Sequence, residues 1–289
     1  MLNLNSLTIL DGAMGTTLMN YGFSLGNCVE SFNYNSPEFI KNIHLKYLEA
    51  GSDVITTNTF GSNSVNLEKH GYKVEETIFK GVNLAKKAIE EYKINSNCSS
   101  EKLVALDLGP TGKLYPYGNM SLIEVYNLFK EQVQYGVRAG ADIILIETML
   151  SIEEARAAVL AAKENSKLPV FCTFTFNKEG KTMMGEGIEE IINTLEPLDI
   201  DAIGANCSMG IQGIEFLAEE FLQYSKLPII MKPNAGLPRK VNNKNIYDIT
   251  PSKFAFKIKN LIEKGVTIVG GCCGTTPEFI REINRIKIK

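Results

Sequence analysis

Apolar residues along this chain fall into short β-branched runs, each closing on a polar or glycine-rich segment and each followed by a longer stretch with helical spacing. The runs predict strands at Leu7–Asp11, Asp53–Thr59, Leu103–Gly109, Asp142–Thr148, Val170–Phe176, Ala202–Cys207, Ile229–Asn234 and Thr267–Gly271. Helical spacing occupies Pro37–Ala50, Val74–Tyr92, Leu122–Ala139, Ile152–Asn165, Ile188–Leu195, Ile211–Tyr224, Pro251–Lys264 and Pro277–Arg285. Ser36-Pro37, Thr250-Pro251 and Thr276-Pro277 each place a capping hydroxyl before a proline at the first helical position. Gly51, Gly140 and Gly265 stand where helices stop and the chain turns into the next strand. Regular alternation predicts a parallel sheet, and eight units in 289 residues fit a closed (β/α)8 TIM barrel better than an open doubly wound sheet. Nothing resembling a linker divides the chain, so residues 1–289 read as one domain. The polar stretch Leu237–Asp248 reads as a long loop after the seventh strand, and Asn95–Lys102 as a loop on the opposite face.

Composition narrows the setting. A 44% hydrophobic and 22% charged chain is that of an ordinary globular protein, and no run approaches the roughly 18 apolar residues of a membrane helix. Its first residues lack a basic segment followed by an apolar stretch, so no secretory signal is read and a cytoplasmic setting is expected. Six cysteines in such a compartment point to metal binding or catalysis before disulfides. The net charge of −3, without a basic stripe interleaved with aromatics, argues against nucleic acid. The basic end from Arg285 to Lys289 reads as a solvated helix terminus.

Barrel enzymes carry their chemistry at the C-terminal ends of the strands. Here those ends are Asp11-Gly12, Thr57-Asn58-Thr59, Glu147-Thr148, Asn206-Cys207, Asn234 and Cys272-Cys273. Adjacent cysteines make a poor disulfide but serve as two corners of a tetrahedral zinc site, and Cys207, one strand removed, supplies a third. The fourth corner stays open for a substrate, with Asn234 above it. Gly270, Gly271 and Gly274 are expected to give the backbone the freedom to aim both thiols at one ion. Three thiolates leave such a site a weak Lewis acid toward water but keep a fourth, bound thiolate electron-rich, which suits alkyl transfer to sulfur. Against this stands a phosphate-cradling reading of the glycine-rich eighth strand end, with Lys232 as base of an aldolase or isomerase. Cys28 and Cys98 read as loop thiols, Cys172 as a core residue of the fifth strand, and His44 and His70 as partly exposed residues away from the mouth. Glu147, closing an apolar run, must meet a cation, for which an α-ammonium is a good candidate. Asp11 either faces that ammonium or anchors the Gly12-Ala13-Met14-Gly15 turn, whose amides can bind a carboxylate. Asp107 divides evenly between a structural cap and the mouth.

The segments Asp11-Gly12-Ala13-Met14-Gly15-Thr16, Thr56-Thr57-Asn58-Thr59-Phe60-Gly61, Gly109-Pro110-Thr111-Gly112, Glu147-Thr148, Gly204-Ala205-Asn206-Cys207-Ser208, Lys232-Pro233-Asn234-Ala235-Gly236 and Gly270-Gly271-Cys272-Cys273-Gly274-Thr275-Thr276-Pro277 resemble the homocysteine S-methyltransferase family over nearly the whole chain. The likeness is strongest to the homocysteine-binding modules of cobalamin-dependent methionine synthases. It implies a zinc-bearing barrel in which Cys207, Cys272 and Cys273 hold the ion and homocysteine is methylated to methionine. Glu147 and Asp11 would then bind the amino-acid end, with Thr57 and the backbone of Gly12, Ala13 and Met14 beside it. Neither histidine sits in the Asp-x-His-x-x-Gly context of a cobalamin module, because Asn42 and Glu68 occupy the positions two before His44 and His70. Cobalamin is therefore expected only through a separate corrinoid protein that delivers the methyl group. The alternatives are a small onium donor, S-methylmethionine or betaine, and a non-catalytic subunit that binds zinc and homocysteine.

Overall fold

The computed structural model describes residues 6–22, 28–96, 100–113, 117–211, 213–241 and 244–287, so Cys98 lies outside the described residues. Eight parallel strands run in chain order: β1 (Thr8–Ile9), β2 (Val54–Thr56), β3 (Leu103–Leu108), β4 (Ile143–Met149), β5 (Val170–Phe174), β6 (Ala202–Gly210), β7 (Ile229–Asn234) and β8 (Ile268–Val269). From β2 to β8 each strand pairs with the next, β1 returns to pair with β8 in the register Thr8↔Ile268 and Ile9↔Val269, and a bridge between Leu10 and Val54 closes the ring. The expected TIM barrel is thus present. β1, β2 and β8 are shorter than their sequence patterns, because their last residues leave the ladder to build the mouth. Gly271 N–H, for example, donates to the Asp11 carbonyl at 3.0 Å.

Strand periodicity sorts the side chains into two cores. Leu10, Val54, Ala105, Ile143, Leu145, Phe171, Ala202, Ile230 and Ile268 form a plug inside the barrel. Alternate residues such as Ile9, Ile55, Val104, Ile144, Ile146, Ile203 and Met231 join the outer core against the helices. Each fully buried aliphatic side chain contributes about 2 kcal/mol to this separation of layers. The two-residue period then fixes what stands above the plug. Thr56, Asp107, Glu147, Thr173, Asn206, Lys232 and Cys272 are all in phase with plug residues on their own strands or strand extensions.

Helices follow the predicted places with small shifts. Val74–Ser96 runs past its expected end into the stretch read as a loop. Thr250 caps its helix by accepting from Lys253 N–H at 3.4 Å, whereas Ser36 precedes Pro37 without a capping bond. Gly51, Gly140 and Gly265 close their helices at φ 111°, 86° and 114°. The polar stretch after β7 is not a plain loop: Arg239–Val241 pairs antiparallel with Lys244–Ile246. Among the described residues no helix is long and apolar enough to cross a membrane.

His44 departs from expectation. It lies on the inner face of Pro37–Ala50, fully buried, with neither ring nitrogen hydrogen-bonded. Polarity suggested exposure, but the face is set by Ile40, Ile43, Tyr47 and Leu48, which surround its position in the helix and are all buried. Burial pushes the imidazole down to about 4. An unfolded chain binds that proton near pH 6.5, so the folding contribution of neutral His44 is complete above pH 6.5 and is lost as the pH falls toward 4. His44→Leu should remove about 3 kcal/mol of this acid-side loss, giving a flatter profile of unfolding free energy in urea between pH 6.5 and 4.5. An unchanged profile would show that other groups dominate.

Candidate active site

Three sulfur atoms mark the mouth. Cys207, Cys272 and Cys273 place their Sγ atoms within 4.8 Å of one another, and Cys207 and Cys273 are 3.8 Å apart. A tetrahedral site with metal–sulfur bonds of about 2.3 Å has edges of about 3.8 Å, so the donor set fits a thiolate-bound ion in both chemistry and span. Strand geometry alone does not produce this cluster. An extended Cys207 would face the helices, out of phase with Asn206. Its φ of 58°, followed by 22° at Ser208 and a register shift before Gly210, breaks the alternation at that point. Such backbone is costly for a non-glycine residue, and here it is fixed by Ser208 N–H donating to Thr175 Oγ1 (2.9 Å) and Phe176 N–H donating to Ser208 Oγ (2.9 Å).

Cys272 and Cys273 sit in a turn closed by Thr275 N–H donating to the Cys272 carbonyl at 3.1 Å. Gly274 takes φ 82° there, and a Cβ on it would also stand 2.3 Å from the Tyr247 ring. The expectation that Gly270 and Gly271 supply unusual dihedrals is not met, since neither has a positive φ. Gly270 supplies room instead: a Cβ there would come within 2.9 Å of the Asp11 carbonyl and 3.3 Å of Lys232 Cγ. Cys272 N–H donates to the Pro233 carbonyl and Ala235 N–H to the Cys273 carbonyl, each at 2.9 Å, which ties the turn to β7. On the other side Ala13 N–H donates to Thr275 Oγ1 at 3.2 Å.

Mutual contact and burial push the three thiols up. Cys207 stands at about 12, because its contact with Cys272 lowers it but the contact with Cys273 and burial together outweigh that. Cys273 also stands at about 12, lowered by Cys207 and raised by Cys272 and by burial. Cys172 and Cys28 take no part. Cys172 is buried in β5, and Cys28 is no open loop thiol but a buried one that donates to Glu30 Oε2 at 3.2 Å.

Beneath the thiols lies a charged layer. Glu147 meets the cation its position requires, but that cation is internal: Lys232 Nζ donates to Glu147 Oε2 at 2.6 Å, both side chains being nearly closed to solvent. Burial disfavours the Lys232 ammonium, yet Glu147, Asp11 and Asp107 hold the amine above the ordinary lysine range. Asp11 accepts from Thr56 N–H (2.8 Å) and Thr56 Oγ1 (3.0 Å). Burial pushes it up to about 7 although Lys232 and Thr56 pull the other way. Thr57 Oγ1 accepts from Asp107 N–H at 3.0 Å. Asn206 knits the layer together: Oδ1 accepts from Thr148 N–H and Thr173 Oγ1, both at 2.8 Å, and Nδ2 donates to Thr148 Oγ1 at 2.7 Å. Thr148, a β-branched residue, is thereby held at φ 65°.

A cavity of about 340 Å3 opens over this layer, lined among others by Gly12, Ala13, Met14, Thr57, Glu147 and the three cysteines, which is room for a small ligand. Of the residues singled out at the strand ends, Gly12, Thr57, Asn58, Glu147, Thr148 and the three cysteines line this cavity; Asp11, Thr59 and Asn206 do not, and neither does Asn234. That side chain faces Cys207 from one side. Lys232, Asn206 and Asp107 carry more of the layer than residue type alone suggested. The signal that could have found them is phase: each lies an even number of residues from a plug position on its own strand.

A closed parallel barrel whose strand ends bring three thiols over a pocket of buried charge defines a thiol-cluster barrel suited to sulfur chemistry. The homocysteine S-methyltransferase family pattern matches residues 8–286, and the chain belongs to that family, whose reaction is methyl transfer to homocysteine. Methionine synthases of Mycobacterium leprae (strain TN) and Mycobacterium tuberculosis (strain ATCC 25618 / H37Rv) are each 31% identical over 287 residues, covering 94% of this chain and 24% of the relative. The chain thus spans about a quarter of the length of these curated relatives. The metallated form of the homocysteine methyltransferase MmuM from Escherichia coli shares the fold, with a TM-score of 0.84 at 22% identity over 97% of this chain and 96% of that one.

The Lys232–Glu147 pair makes a direct prediction. Lys232→Met leaves a buried carboxylate without its partner and should lower the unfolding free energy by about 3–5 kcal/mol, whereas adding Glu147→Gln should recover much of the loss. Equilibrium denaturation of the two variants decides this; equal stability of the single and double variants would contradict the pairing.

Proposed function

We propose that this chain, acting as one barrel domain, is a zinc-dependent homocysteine S-methyltransferase that forms methionine. The observation that carries the reading is the meeting of Cys207, Cys272 and Cys273 at the edge of the cavity, in a chain that belongs to this family. Zinc held by these thiolates would supply a Lewis acid that keeps the acceptor sulfur deprotonated at neutral pH, where a free thiol of pKa about 8.5 is only a few per cent ionised.

The chain's own residues bind and aim the acceptor. The amino-acid end is received by the charged layer, with Glu147 and Asp11 drawing its ammonium and Thr57 beside them. Its carboxylate is directed to the amides at the start of the Gly15–Asn20 helix; the Ala13 amide is engaged by Thr275, which points to those of Met14 and Gly15. Asn234, beside Cys207, holds the thiol end in place. Sulfur then displaces the donor in line: the new S–CH3 bond forms as the donor–CH3 bond breaks, and that electron pair leaves with the donor. We place the methyl group on a separate corrinoid protein, so that cobalamin acts only through a partner; the identity to methionine synthases supports this choice over a small onium donor. A reducing, cytoplasmic setting is consistent with three thiols kept free.

Protein purified under reducing conditions should carry about one zinc per chain, and Cys207→Ser, Cys272→Ser and Cys273→Ser should each lose metal and methionine formation together. Metal analysis alongside homocysteine assays with methylated corrinoid protein, S-methylmethionine and betaine tests both halves of the proposal. Zinc retained tightly in all three variants would remove the ligand set. Turnover with an onium compound alone would move the donor assignment, and binding without turnover on any donor would leave a binding subunit.

A further inference from the structure

The three thiols of the mouth are unequally served by hydrogen-bond donors. Cys272 Sγ receives Asn206 Nδ2 at 3.8 Å, and Cys207 meets the Asn234 side chain. Cys273 Sγ, among the described residues, meets only its fellow thiols. On the function proposed above, three thiolates outweigh the charge of one dication, and a thiolate from the acceptor makes the cluster more negative still. Negative charge at a largely buried site calls for donors around the sulfurs, and outer partners of this kind hold metal ligands and tune them. Cys273 is the ligand that lacks one.

Tyr247 stands beside it. This residue follows the hairpin strand Lys244–Ile246, and its half-buried ring lies against Gly274. A Cβ at position 274 would come within 2.3 Å of Tyr247 Cγ and 2.5 Å of both its Cδ atoms, so the glycine gives the ring a seat on the turn that carries Cys273. Burial raises the phenol, and Cys273 is the next influence on it, ahead of Cys207 and Cys272. A phenol keeps its proton across neutral pH and can donate it to an acceptor. Among the described residues the Tyr247 hydroxyl has no hydrogen-bond partner, whereas buried Tyr47 on the other side of the turn donates to the Ala13 carbonyl at 2.9 Å. We propose that Tyr247 is a positioning residue of the metal site, its hydroxyl donating to the Cys273 thiolate when the metal is held. With Asn206 on Cys272 and Asn234 on Cys207, each of the three sulfurs then has a donor of its own. This deepens the metal reading above and rests on it.

The test compares the wild-type full chain with Tyr247→Phe, which keeps the ring on Gly274 and removes only the hydroxyl, and with Tyr247→Leu, which removes both. Zinc affinity is read by competition with a chelator, and the cobalt(II)-loaded protein by its thiolate-to-cobalt charge-transfer absorption. The thermal midpoint of the metal-free chain reports packing. In Tyr247→Phe zinc affinity should fall roughly 10-fold, the lower end of what losing an outer partner of a metal ligand costs. Its charge-transfer band should move to longer wavelength, because a sulfur relieved of a donor gives up electron density more readily, while the metal-free midpoint stays that of wild type. Tyr247→Leu should lose at least as much affinity and lower the midpoint as well. Wild-type zinc affinity or an unmoved band in Tyr247→Phe overturns the assignment. So does a Tyr247→Phe midpoint as low as that of Tyr247→Leu, which would make the hydroxyl a packing group. Wild-type protein that takes up neither zinc nor cobalt overturns the metal reading itself, and this inference with it.

Discussion

One buried lysine holds the mouth of this barrel together. Lys232 is the internal cation shared by Glu147, Asp11 and Asp107, and without it three carboxylates would stand in a low-dielectric layer directly above an apolar plug. Its place follows from the two-residue period of β7, where Ile230 belongs to the plug and Lys232 rises one step above it. Gly270 on the neighbouring strand end leaves space for its stem. The layer remains short of positive charge even so. On the function proposed above, a cationic ligand group below and a dication among the thiols above would complete the electrostatics.

Much of this was legible from residue order. Eight apolar runs gave the strands because parallel barrel strands are buried on both faces and read as continuous β-branched stretches. The ends of those runs named Asp11, Glu147, Cys207 and the Cys272-Cys273 pair, because a barrel displays its strand ends at one mouth. What stayed hidden depends on register and backbone detail. The partner of Glu147 lies 85 residues away and is found only once β4 and β7 are placed around the ring. The left-handed turn at Cys207 has no glycine to announce it, and His44 hid its burial behind its polarity.

Among the described residues, three of the five non-glycine positions with positive φ, Thr148, Cys207 and Ser208, lie at the mouth. Thr148 and Cys207 adopt left-handed backbone at the ends of β4 and β6, at a cost of about 1–3 kcal/mol each, and both lie beside Asn206 or its neighbours. A regular barrel could have ended these strands without it. The outer and inner cores offset this local cost, which lets the mouth be shaped for ligands while the plug beneath supplies rigidity.

Pairing of β1 with β8 also orders events in time. The first strand, ending at Ile9, has no lateral partner on that side until Ile268 and Val269 have been synthesised, which at ribosomal speeds is a wait on the order of tens of seconds. Cys207 emerges 66 residues ahead of Cys273, so the thiol cluster is likewise incomplete until that strand end has been made. Barrel closure and completion of the thiol cluster thus wait on the same short segment, from Ile268 to Cys273.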